Sequence, residues 1–174
     1  MLKRFLFFVF FGLCASMQAF TMTIAFACFQ NKSAPEKCRT VTVMFEDLLL
    51  NSFFDSGFIV TNVPLTEYVS EKDINLAEIG KLFEEEPADY LVLLRFEYGD
   101  TLIFDERTRQ RVPDWKRLNI SLFESSGENE IFNKAVDMAG VKGGNLEKKA
   151  EILSKQIADG ILAAIKKNKK AGKR

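Results

Sequence analysis

The chain has 174 residues, 47% of them hydrophobic and 28% charged, with 24 basic side chains, 24 acidic ones and no histidine. That length and apolar content give one ordinary domain with a packed core and exclude disorder throughout. The missing histidine excludes Ser-His-Asp and Cys-His nucleophile systems, histidine general bases and most catalytic zinc sites. Charge is uneven along the chain. Lys3 and Arg4 stand at the start, and six cations fall in the last nine residues, KKNKKAGKR, leaving sixteen basic against twenty-four acidic groups between. A body of that sign argues against nucleic acid as the main partner.

Residues Met1 to Phe20 read MLKRFLFFVFFGLCASMQAF: two cations, an apolar run from Phe5 to Leu13, then small residues at Cys14, Ala15, Ser16 and Ala19. This order is that of a secretory signal peptide. Cleavage fits after Ser16 or after Ala19. Lipidation at Cys14 is an alternative, although Phe11-Gly12-Leu13 departs from a lipobox, which wants a small residue next to the cysteine. An uncleaved helix over Phe5–Phe29 is long enough to span a bilayer. Against it, Thr21–Gln30 is β-branched and aromatic and reads as the first strand of the domain.

Ser33 with Glu36 three residues on forms a capping-box pattern, with Pro35 in the first turn. The helix is expected to reach Ser56, with Val41, Met44, Phe45, Leu48, Leu49 and Phe53 on its buried stripe and Gly57 closing it in the left-handed conformation. Phe58–Val63 follows as a strand ended by Pro64, so strand, helix and strand make a parallel βαβ unit. Thr66–Asn75 reads as a polar connection. Asn75 and Glu78 then cap a short helix, LAEIGKLFEEE, stopped by Pro87.

Asp89–Tyr98, DYLVLLRFEY, carries the centre of the fold. Tyr90, Val92, Leu94, Phe96 and Tyr98 share one face, while the other is apolar at Leu91 and Leu93 and polar at Arg95 and Glu97. That predicts a central strand buried on both faces at its start. Gly99-Asp100 makes a turn, Leu102–Phe104 extends a strand, and DERTRQRVPDWK is a charged loop. Leu118, Ile120 and Leu122 alternate with polar residues, Ser125–Asn129 is a hairpin turn, and Glu130–Val136 returns antiparallel. After glycines 140, 143 and 144, Asn145 caps a last helix with Leu146, Ala150, Leu153, Ile157, Ile161 and Ala164 at helical spacing.

The fold class is therefore α/β (α+β), a single mixed sheet in the order β-α-β-α-β-β-β-α, preceded by a signal-peptide helix. The domains are residues 1–20, a signal peptide; 21–165, the mixed-sheet domain; and 166–174, a basic flexible tail. Three passages carry a family resemblance: TIAFACF leading into a long helix that ends in FFDSGFIVTN; EEEPADYLVLLRFEYG; and NISLFESSGENEIFNKAV. They are similar to the small α/β domain shared by the amino-terminal domain of TolB, the curli secretion protein CsgG and the penicillin-binding-protein activator LpoB. Pro87 replaces a usual glycine of that pattern, and Arg95 stands near the place of a second. The resemblance spans Thr21 to Ile165 and implies an exported, non-enzymatic envelope protein that docks onto other envelope machinery.

Candidate chemistry is sparse. In an exported protein Cys28 and Cys38 invite a disulfide, the alternative being two buried thiols. Glu84, Glu85 and Glu86 point in different directions from a helix end and read as a solvated face. Asp105, Glu106 and Asp114 could supply paired carboxylates of the glycosidase kind, or be loop charges. The single tryptophan, Trp115, lies among charges, so the stretch containing Arg107, Arg109, Arg111, Trp115 and Arg117 is the candidate partner-binding loop, with Trp115 as anchor or packed on the sheet edge. The basic tail could meet anionic lipid or only solubilise the chain. No catalytic, cofactor or metal residue is assigned. The expected role is an exported adaptor or assembly factor with other envelope proteins as partners, no nucleic acid, and peripheral membrane association open. The alternatives are an exported hydrolase using paired carboxylates and a small-ligand carrier.

Overall fold

The computed structural model describes residues 22–70, 74, 76–85, 87–125 and 129–171. The expected signal peptide, Cys14, the expected Asn75 cap, Glu86 and the tip of the 125–129 turn lie outside the described residues.

Strand β1 (Thr23–Asn31) is buried at every position but its two ends. Its alternation serves two layers: Ile24, Phe26 and Cys28 enter one core cluster, while Ala25, Ala27 and Phe29 enter a second. Helix α1 (Lys37–Asp55) then returns along the sheet and buries Cys38, Val41, Phe45, Leu49 and Phe53. Met44 and Leu48, expected on that stripe, are only partly buried at its flank. The Ser33–Glu36 capping box does not form. Glu36 has helical dihedrals and makes no side-chain cap, and the Ser33 hydroxyl accepts a hydrogen bond from Asn31 Nδ2 at 2.9 Å. Asn31 has a stronger claim on this corner, because its amide also takes the place of a strand partner for Tyr98, accepting from Tyr98 N at 2.8 Å and donating to Tyr98 O at 3.0 Å.

Gly57 closes α1 as expected, at φ +85°. Phe58 N donates to Phe53 O at 3.1 Å and Gly57 N to Phe54 O at 2.9 Å, the paired bonds of a Schellman motif. Phe53 and Phe58 meet edge-on across it, ring centroids 5.7 Å apart. Strand β2 (Ile59–Asn62) runs parallel to the first half of β1. The expected polar connection after it contains a strand, β3 (Thr66–Tyr68), parallel to the last residues of β1. Only three residues pair, too few to show an alternating pattern in sequence.

Helix α2 (Leu76–Glu85) leads into strand β4 (Tyr90–Tyr98), which is the middle strand, parallel to β1 on one side and antiparallel to strand β7 (Trp115–Glu124) on the other. Between β4 and β7, strands β5 (Ile103–Asp105) and β6 (Gln110–Val112) form their own antiparallel ribbon. Strand β8 (Glu130–Asp137) pairs with β7, so the main sheet has the order β2-β1-β4-β7-β8, with β3 also beside β1. After a 3₁₀ turn at Met138–Gly140, Asn145 Oδ1 accepts from Lys148 N at 2.8 Å and starts helix α3 (Leu146–Ala171).

One face of the sheet is covered by α1 and α3, meeting in the large cluster that holds Phe26, Phe45, Phe53, Phe96, Leu118, Leu153 and Ile157. The other is covered where Leu82 of α2 meets Ala25, Leu91, Leu93 and Phe123. The domain has two poles. At one, β1 and β4 begin, β7 ends and α1 and α3 finish. At the other lie the ends of β1 and β4, the β5–β6 ribbon and the start of α3. Helix α3 runs six residues beyond Ile165, so Lys166–Ala171 is helical rather than part of a tail.

Candidate functional site

The ribbon pole collects the residues singled out in the sequence. Asp105 and Gln110 pair at the ribbon tip, leaving the four-residue turn Glu106–Arg109, whose last residue is left-handed at φ 54°. Asp105 Oδ1 accepts from Arg107 N at 2.9 Å, and that bond, with others from Thr108, holds its carboxyl below the ordinary range. Arg107 bends back across the cleft and donates from Nη1 to Gly144 O at 3.0 Å. The ribbon is thus pinned to the loop before α3.

Beneath it lies a cleft of about 450 Å³ whose walls include Ile103, Phe104, Arg107, Asp114, Trp115 and Lys149. A neighbouring depression of about 510 Å³ shares Ile103, Asp114, Trp115 and Lys149 and extends to Glu97 and Arg117. Ile103 is 47% and Phe104 63% exposed, an apolar pair held clear of the main core. Sequence reasoning assigned both to a strand and missed their exposure. The available signal was a short apolar run, Leu102–Phe104, and Val112 flanking a polar turn.

Of the two readings open for Trp115, anchor or packed side chain, the structure takes the second. Trp115 opens β7 and is 6% exposed, with its ring 5.4 Å from Phe45 and 5.5 Å from Phe96, and its Nε1 donates to Arg117 O at 3.1 Å. It floors the cleft and is not a projecting anchor. The other four separate: Arg107 is tied to Gly144, Arg109 and Arg111 are exposed on the ribbon, and Arg117 lies on β7 in register between Glu97 of β4 and Asp137 of β8. Glu97 is taken by Asn119, whose Nδ2 donates to its Oε1 at 2.9 Å.

Asp105, Glu106 and Asp114 do line one cleft. Asp105 is committed to the turn, and the downward direction of its shift is the opposite of what a general acid needs. Asp114 packs against Gly99, where a Cβ would collide with its carboxylate, and lies 4.0 Å from Lys116 Nζ. Among the described residues no group of three or more Cys, Asp or Glu side chains is placed to hold a metal ion.

Cys28 and Cys38 are free, buried thiols, the alternative to a bridge between them. Burial, followed by the nearby Glu46 carboxylate, pushes the pKa of Cys28 well up. Burial, then the charge of Asp114, pushes Cys38 up to about 11. Neither is an activated nucleophile. Glu46 itself, 5% exposed on α1, was not singled out in the sequence, where it sits unmarked between Phe45 and Asp47. It accepts from Asn62 Nδ2 at 3.3 Å, and burial raises its pKa.

Residues 23–166 match a protein-family model described as "Uncharacterised protein". The chain belongs to that family. No curated protein matches it. Solved structures similar to this family member include the PelC dodecamer from Paraburkholderia phytofirmans, at 12% identity and a TM-score of 0.48, covering 79% of this chain and 84% of that one. A second is lipoprotein GNA1162 from Neisseria meningitidis, at 16% identity and a TM-score of 0.45, covering 79% of this chain and 99% of that one. At such identities a role does not transfer.

Proposed function

We infer that the protein is an exported, non-enzymatic component of the cell envelope that holds a protein partner at its ribbon pole, as an adaptor or assembly factor. Export rests on the leader pattern of Met1–Phe20. The resemblance to the TolB, CsgG and LpoB domains points the same way. The observation that carries the docking surface is the exposed pair Ile103 and Phe104, on a ribbon outside the main sheet and pinned by Arg107. Apolar side chains held out by a rigid, charged ribbon suit a partner with an apolar spot and a polar rim. The surface clefts are open, which suits a protein partner better than an enclosed small ligand.

The test is a photo-crosslinking residue at Phe104 in the full chain, with the mass of the mature amino terminus read from the same sample. A specific adduct that disappears when Ile103 is changed to Ser supports the reading. Crosslinks no different from those at exposed Lys155 on α3 would reject the docking surface, and recovery only from cytosol with Met1 intact would end the export reading. A second reading, a hydrolase, is favoured by one observation: Asp105, Glu106 and Asp114 share a cleft. Glycoside or ester cleavage lost in Asp114→Asn would establish it.

A further inference from the structure

The pole opposite the ribbon carries a second surface. The leader joins the domain there, since Met22 O accepts from Ile59 N at 2.9 Å and Thr23 opens β1. Phe54, at the end of α1, is 68% exposed, and Ile59, beside the junction, is 50% exposed. Helix α3 finishes at the same pole, because Asn168 Nδ2 donates to Glu124 Oε1 at 3.1 Å and Glu124 pairs with Tyr90 at the start of β4. Lys166, Lys167, Lys169 and Lys170 are all exposed on this last turn and a half. At 100° per residue they share about 160° of the helix surface, on the side away from Asn168.

We propose that this pole rests on an anionic lipid surface, with Phe54 in the headgroup layer and the four lysines over the lipid charges. The chain outside the described residues supports the assignment: an apolar segment ends where the pole begins, so any anchor retained there delivers this face first. Charge is complementary, since a cation near an anionic membrane surface contributes about a fivefold gain in partition. The acids of the pole set the orientation. Glu124 is engaged by Asn168, Asp89 by Thr23 and Glu130 by Asn133, and Asp55 is exposed beside Phe54. Glu84 and Glu85 are exposed on the α2 face. The domain therefore tilts with the α1 and α3 side toward lipid and the α2 side lifted, and the ribbon points away from the bilayer. The assignment rests on the export reading but not on the ribbon's having a partner.

Full-length protein carrying Cys14→Ser and one polarity-sensitive label tests it, the label placed at Ser56→Cys or, as the far-pole control, at Thr108→Cys. Cys28 and Cys38 are buried and stay unlabelled. With phosphatidylcholine vesicles containing phosphatidylglycerol, the emission at position 56 shifts to the blue and that at 108 does not. Replacing Lys166, Lys167, Lys169 and Lys170 with Gln removes the shift, as does high salt on the unmodified helix. An equal shift at position 56 in pure phosphatidylcholine would assign the contact to the leader alone and overturn the proposal. No shift at 56, or equal shifts at 56 and 108, would overturn it as well. None of these outcomes depends on a crosslink at Phe104, so the two readings fail separately.

Discussion

The indole of Trp115 stands edge-on to the ring of Phe45, centroids 5.4 Å apart and planes at 84°. Through this contact the first residue of β7 is locked to the middle of α1, and the floor of the ribbon cleft is part of the main core. Trp115→Ala is expected to cost about 3–5 kcal/mol, as large-to-small changes of buried aromatics do. Urea unfolding measures it. A loss below 1 kcal/mol would show that the ring is not the keystone its contacts describe.

Thr23 and Asp89 close the leader pole. Asp89 Oδ2 accepts from Thr23 N at 2.7 Å and from Thr23 Oγ1 at 3.1 Å, while Asp89 N donates to Thr23 Oγ1 at 2.9 Å. Asp89→Ala is expected to lower stability by about 1 kcal/mol and to speed amide exchange at the first residues of β1. Unchanged exchange there would mean that the ladder alone holds the strand.

Glu46 makes stability fall as pH rises. Its folded pKa is raised by burial, so the folded state keeps the proton to a higher pH than the unfolded chain does. Its contribution is full below the unfolded carboxyl range and is lost as pH climbs through the folded value. Glu46→Gln keeps an acceptor for Asn62 and carries no charge. It is expected to be more stable than the parent at pH 7 by about 1 kcal/mol, with the gap closing toward pH 4. Parallel stability curves for the two proteins across that range would refute this.

Cys28 and Cys38 are expected to resist iodoacetamide at pH 8 in the native Cys14→Ser protein and to react fully in urea. Their pKa values lie above ordinary thiols, and their relative exposures are 1% and 0%. Native labelling within minutes would show that α1 opens from β1.

Much of the fold was legible because it follows from local period and punctuation. DYLVLLRFEY is apolar on both faces as far as Leu94 and alternates from there, and its two faces do feed two clusters, with Tyr90, Val92 and Leu94 in one and Leu91 and Leu93 in the other. Gly57 was legible because an amphipathic helix ending beside a glycine has few ways to stop. The Ser33 cap was misread because the capping-box pattern cannot show that Asn31 draws the hydroxyl into its own bonds. Strand β3 was invisible because its pairing partner supplies the only reason for those residues to be extended.

The candidate site was legible as a region and left open in its parts. Arg107, Arg109 and Arg111 were located, but Trp115, with Asp114, Lys116 and Arg117 beside it, reads equally as an anchor or a packed side chain until Phe45 and Phe96 are brought against it from elsewhere in the chain. The sequence by itself determined the layers and the central strand, since these depend on which residues avoid water within a few positions of one another. Only the tertiary structure decided that Trp115 is core, that Glu46 shares a site with Cys28, and that Phe54 and Lys166–Lys170 reach the same end as Met22. Those relations join residues as far apart in sequence as Met22 and Lys170, and no local pattern carries information about such distances.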